Sequence, residues 1–102
     1  MNHTHFELGP LDKGSVVEVV LQGSAANVYL LDSLNYKKYL KGEKFMGVGG
    51  YQKSSPIRLQ TPVKAQWHVA VDMPAGSRGT VKSSYRVLTT QGAAGDNIIK
   101  MF

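Results

Sequence analysis

Residues 25–51 read AANVYLLDSLNYKKYLKGEKFMGVGGY, and the hydropathy period changes twice within them. From Asn27 to Asp32 it is two: Val28 and Leu30 fall on one side, Tyr29 and Leu31 on the other, as in a strand. Asp32-Ser33 then supplies side chains that accept hydrogen bonds from free amides at a helix start. Leu34, Lys37, Lys38 and Lys41 recur at three-to-four-residue spacing, with Tyr36, Tyr39 and Leu40 between them. The segment is too short for an independent helix. It predicts a single helical turn packed on a sheet, with Gly42 as its C-terminal cap. Extended structure resumes from Lys44 to Tyr51, where Gly47, Gly49 and Gly50 predict an irregular or bulged strand, since glycines permit a bulge or a close strand approach.

Working outward, the flanking sequence alternates as strands do. Phe6 and Leu8 share one side of a short edge strand that Gly9-Pro10 punctuates. Ser15–Gln22 is rich in β-branched residues, and Val17, Val19 and Leu21 form its better core face. Its proximity to Asn27–Asp32 predicts a buried hairpin, although Gln22–Ala26 is not a diagnostic turn sequence. Further on, Ile57, Leu59 and Thr61 face inward against Arg58 and Gln60. Trp67, Val69 and Val71 oppose His68, Ala70 and Asp72, and Val81, Ser83, Tyr85 and Val87 oppose Lys82, Ser84 and Arg86. Turn signals every ~8–12 residues between short strands are the pattern of an all-β protein. The expected fold is an antiparallel β-sandwich, jelly-roll-like or of immunoglobulin size, with about seven to eight strands and one short helical turn. Residues 1–90 form its single domain, and residues 91–102 a tail that docks on the domain or pairs with another chain.

Composition narrows the function classes. The chain has 102 residues, 42% hydrophobic and 19% charged, which suits one globular domain. Without cysteine there is no disulfide and no thiol chemistry, in keeping with a cytoplasmic protein. No apolar run approaches the ~18 residues of a membrane span, and the N-terminus lacks the pattern of a secretory leader. Twelve Lys and Arg against seven Asp and Glu leave a net charge of +5, which suits an anionic partner as well as it suits simple solubility.

A resemblance is carried by FELGPLDKGSVVEVVLQGSAANVYLLDSLNYKKY (residues 6–39), by GGYQKSSPIRLQTP (residues 49–62) and by QWHVAVDMP (residues 66–74). These segments resemble the domain of unknown function family eighteen-eighty-three. The resemblance implies a small bacterial β-sandwich, sometimes joined to a Toll/interleukin-receptor-like domain, and hence a sensing or interaction module. It carries no functional residues with it.

No catalytic motif stands out. The sequence fixes no carboxylate separation, and histidines 3, 5 and 68 lack a nucleophile elbow such as Gly-x-Ser-x-Gly. His3 and His5 share a strand face and would need Asp72 or His68 to complete a metal site. The glycines at 47–50 do not open a helix, so they are not a phosphate loop. The chain is therefore read as non-enzymatic, with no cofactor and no metal. Its candidate surface is Asn35, Tyr36, Lys37, Lys38, Tyr39 and Lys41, joined by Arg58 and His68 from outward sheet positions. Cations mixed with aromatics suit a protein partner or small ligand. The same mixture suits single-stranded nucleic acid or carbohydrate if rings and lysines share one exposed face. A homo-oligomer assembled through Ile98–Phe102 is the remaining alternative.

Overall fold

The computed structural model describes residues 3–88 and the two-residue strand Ile98–Ile99. The described residues form eight strands and one helix: β1 (His3–Leu11), β2 (Val16–Gly23), β3 (Ala26–Asp32), α1 (Ser33–Leu40), β4 (Val48–Gln52), β5 (Ile57–Gln60), β6 (Ala65–Asp72), β7 (Val81–Leu88) and β8 (Ile98–Ile99). They make an all-β sandwich of two four-stranded sheets, ordered β1-β6-β3-β4 and β7-β2-β5-β8. All pairings are antiparallel except that of β5 with β8.

Alternation along the strands builds the core. Val28 and Leu30 of β3 and Trp67, Val69 and Val71 of β6 face Val17 and Val19 of β2 and Ile57 and Leu59 of β5, all buried. Each such side chain contributes roughly 1.5–3 kcal/mol by leaving water, so the inter-sheet layer dominates the stability.

Three expectations need correction. β2 and β3 are not a hairpin, because they lie in different sheets. The chain crosses between layers at Gly23–Ala25, so the apolar faces of the two strands meet across the sandwich instead of lying side by side in one sheet. β1 does not stop at Gly9-Pro10. It continues to Leu11 through a register shift between Glu7 and Gly9, and Pro10 is tolerated because β1 is an edge strand. The helix is eight residues long rather than a single turn. The expected docking or pairing tail lies largely outside the described residues; its described part, Ile98–Ile99, pairs with β5 of the same chain.

The outer face of the second sheet carries a cross-strand triple. Glu18 lies directly opposite Arg58 on one side and Arg86 on the other, accepting from Arg58 Nε at 3.1 Å and Arg86 Nε at 2.7 Å. The hydrogen bond from Arg86, followed by that from Arg58, holds the Glu18 carboxyl below its ordinary value although the carboxylate is poorly hydrated. No helix among the described residues is long and apolar enough to cross a membrane.

Candidate functional site at helix α1

Helix α1 is short but tied at both ends. At its start Asp32 Oδ1 accepts from the Asn35 amide at 2.8 Å and from Asn35 Nδ2 at 3.0 Å. At its end the Gly42 amide reaches the Tyr39 carbonyl and the Glu43 amide reaches that of Lys38, with Gly42 at φ +72°. That pair of bonds is a Schellman closure, which satisfies carbonyls the helix leaves over.

The helix lies on the outer face of the first sheet, over β3 and β6. Spacing decides which residues meet the sheet: Tyr36 and Tyr39, one turn apart, turn inward. Tyr39 is only 3% exposed and packs with Leu31 and Ala70. Its hydroxyl donates to Asp72 Oδ2, while Asp72 Oδ1 accepts from Asn27 Nδ2 at 2.7 Å. Burial first, and then the bond to Asp72, push the Tyr39 phenol far above the ordinary tyrosine range.

Three histidines from two adjacent strands lie beneath Tyr36. β1 and β6 pair so that His5 opposes Ala70 and Glu7 opposes His68, which brings outward-facing side chains of both strands together. His5 Nε2 and His68 Nδ1 are 2.9 Å apart, His68 Nε2 is 2.9 Å from Ser33 Oγ, and His3 Nε2 is 3.0 Å from the Tyr36 hydroxyl. The Tyr36 ring stacks on His5 (centroids 4.2 Å, 16° between planes) and on His68 (4.9 Å, 11°). Desolvation lowers the pKa of both His5 and His68. A neighbouring histidine adds to the effect in each case, His3 for His5 and His5 for His68. Glu7 opposes the shift at both rings and Asp32 opposes it at His68, but desolvation by the stacked rings outweighs them, at His5 even though one side of that residue is exposed. At neutral pH both rings are therefore uncharged.

Ser33, His68 and His5 stand in the order of nucleophile, base and orienting group. The third member, however, is a neutral imidazole, which cannot hold an imidazolium as a carboxylate does. Tyr36 also lies flat across both rings. The line ties the first turn of α1 to the sheet. Among the described residues no group of three or more histidines and carboxylates is placed to hold a metal ion.

The residues expected to form one surface are divided among four places. Lys37 and Lys41 are exposed and Lys38 partly so, on the side of α1 that faces water together with Leu34. Tyr36, Tyr39 and His68 are on the sheet side. Asn35 sits at the flank, where its Oδ1 accepts from the Met46 amide at 2.8 Å. Arg58, expected as a neighbour of His68, projects from the opposite sheet and is engaged by Glu18, so the thickness of the sandwich separates the two.

Beside Asn35 is a cavity of about 350 Å³ lined by Asp32, Met46, Gly47, Pro62, Val63 and Trp67 as well. Leu34, Leu40, Met46 and Val63 are all more than half exposed around α1 and this slot. The sequence pointed to His3 and His5 on one face with Asp72 or His68 to join them, and to Ser33 as a helix cap, but not to Asn27 or to the line from His5 through His68 to Ser33. The signal that was present is parity: outward positions 3 and 5 of one strand and 68 and 72 of another carry histidines and a carboxylate.

No curated protein and no solved structure matches the chain. Residues 1–91 match the family model described as Domain of unknown function (DUF1883), and with the match covering the sandwich from β1 to β7, the chain belongs to that family.

Proposed function

We propose that this domain is a non-enzymatic interaction module whose partner is a protein segment combining acidic residues with an apolar anchor. The observation that carries this reading is the water-facing side of α1, where Lys37, Lys38 and Lys41 stand beside exposed Leu34, close to an apolar slot at Asn35 and Met46. Lysines at that ridge select acidic neighbours and speed encounter. The slot, at about 350 Å³, has the size that takes one large side chain. A protein partner is favoured over single-stranded nucleic acid because the rings on which bases would stack, Tyr36 and Tyr39, face the sheet. A bacterial cytoplasmic setting belongs to the same proposal and accords with a cysteine-free chain.

The test is selection from a random peptide library displayed on phage. Selected peptides should be enriched in Asp and Glu around one apolar position. Their binding should weaken with salt and be lost in the Lys37→Glu/Lys41→Glu variant. Trp67, the sole tryptophan, lines the slot and reports occupancy by its fluorescence. Selection of basic or uncharged peptides, or binding indifferent to the double charge reversal, would refute the proposal, and saturable binding of an oligonucleotide at the same face would replace it.

A further inference from the structure

We propose that the His5–His68 contact beneath α1 is a proton-operated latch: acidification drives the two rings apart and releases the first turn of α1 from the sheet. The inference rests on counting protons in a fixed geometry. Two neutral imidazoles carry two ring protons on four nitrogens, and one must sit in the 2.9 Å gap between His5 Nε2 and His68 Nδ1. If that proton belongs to His5, His68 Nε2–H donates to Ser33 Oγ. If it belongs to His68, the Ser33 hydroxyl donates to Nε2 instead. Either arrangement satisfies the line. One added proton fills the remaining outer nitrogen, leaving the gap unchanged. A second would have to enter the gap and set two N–H groups against each other between two cations. The latched state thus holds at most one extra proton, and the open state holds two.

The surroundings determine which piece moves. β1 and β6 are fixed by their ladder, so the strands stay paired while the rings rotate. Ser33 and Tyr36 both belong to α1 and rest on those rings, with His3 also holding the Tyr36 hydroxyl. The second anchor, Tyr39 on Asp72, lies one turn further along and remains. The charged and titratable groups that act on the pair are His3 and Glu7 from β1, Asp32 from β3, and Tyr36 from α1, whose ring lies over both histidines. Glu7 and Asp32 favour the first added proton, whereas His3 opposes further charge. Because α1 carries the lysine ridge and Asn35, release would dismantle the docking face. That regulatory consequence rests on the proposed function; the latch itself does not.

The sign follows from linkage. Both histidines bind protons less readily when latched, so the latch holds above the ordinary histidine value of about 6.5 and weakens as pH falls below it. The experiment is hydrogen exchange of the full chain followed by NMR, without any peptide, comparing amides 35–40 with those of β2 and β5. In the parent protein the opening constant of α1 should rise at least about tenfold between pH 5.5 and 4.5 after correction for intrinsic exchange, while β2 and β5 stay protected. In His5→Gln and His68→Gln the rise should be less than about threefold, because the one remaining histidine can take its proton with no N–H set against it. Equal pH dependence in parent and variants overturns the latch, as does loss of protection throughout the domain together. Should the variants fail to fold, ring-proton titration of the parent decides: coupled two-step curves for His5 and His68 support the latch, and two independent ordinary titrations refute it. Peptide selection at neutral pH tests docking separately, so either proposal can fail alone.

Discussion

Replacing Tyr39 by Phe removes one oxygen from beneath α1 and leaves the ring, so the loss can be assigned to one bond. Tyr39 is 3% exposed and its packing against Leu31 and Ala70 survives the change. What disappears is a hydroxyl donating to a carboxylate, a class of bond that stabilises by about 1.5–3 kcal/mol. Asp72 keeps its bond from Asn27 at 2.7 Å and is only partly buried, so water can replace part of what is lost. That places the expected cost in the lower part of the range, about 1.5–2 kcal/mol. For a domain of this size it corresponds to a fall in Tm of about 6–10 °C. Urea unfolding at pH 7, followed by Trp67 fluorescence and far-ultraviolet circular dichroism, should show a lower midpoint at unchanged slope. A loss below about 0.5 kcal/mol would refute the assignment, since it would place the hydroxyl among ordinary exposed groups. The same burial makes an alkaline prediction. A phenol whose folded pKa is raised contributes stability that is complete below the unfolded value of about 10 and is lost as pH rises beyond it. Absorbance titration should therefore find one tyrosine that ionises only as the protein unfolds.

Three further substitutions test other parts of the structure. Glu18→Gln should lower the urea midpoint at pH 7. Because the Glu18 carboxyl is held below its ordinary value, its contribution is present above the unfolded value of about 4.5 and lost as pH falls through the folded one, so parent and variant should converge in acid. Gly42→Ala should cost about 1–2 kcal/mol by urea unfolding, since Gly42 is left-handed but a Cβ there meets nothing within 4 Å. Gly49→Ala should cost clearly more, because at φ +115° its Cβ would also be driven into the Val28 carbonyl of the neighbouring strand. Equal costs at the two glycines would show that backbone conformation alone, and not close strand approach, selects glycine at 49.

Much of the architecture was legible because it depends on local parity. Alternation identified Trp67, Val69 and Val71 as inward and His68, Ala70 and Asp72 as outward; burial agrees except at Ala70, which faces outward but is covered by α1. Asp32 and Gly42 bounded the helix because capping is chemistry of adjacent residues. The failed hairpin had no such local basis: alternation says that β2 and β3 each bury a face, and two layers satisfy that requirement as well as two neighbours in one sheet.

For the site, the same division holds. The sequence by itself determined most of the strands, a helical segment with its caps, and the presence of tyrosines and lysines between Ser33 and Lys44, though not the length of the helix or the end of β1. Helical spacing further implied that Leu34, Lys37, Lys38 and Lys41 share a side. Only the tertiary structure decided which side faces water, because that depends on where α1 lies over Leu31 and Ala70. It also separated Arg58 from His68 and brought His5 within 2.9 Å of His68, across 63 residues of chain. The physical reason is that parity assigns a residue to a face of its own strand, whereas contact between faces depends on strand pairing, which is decided by burial summed over the whole core.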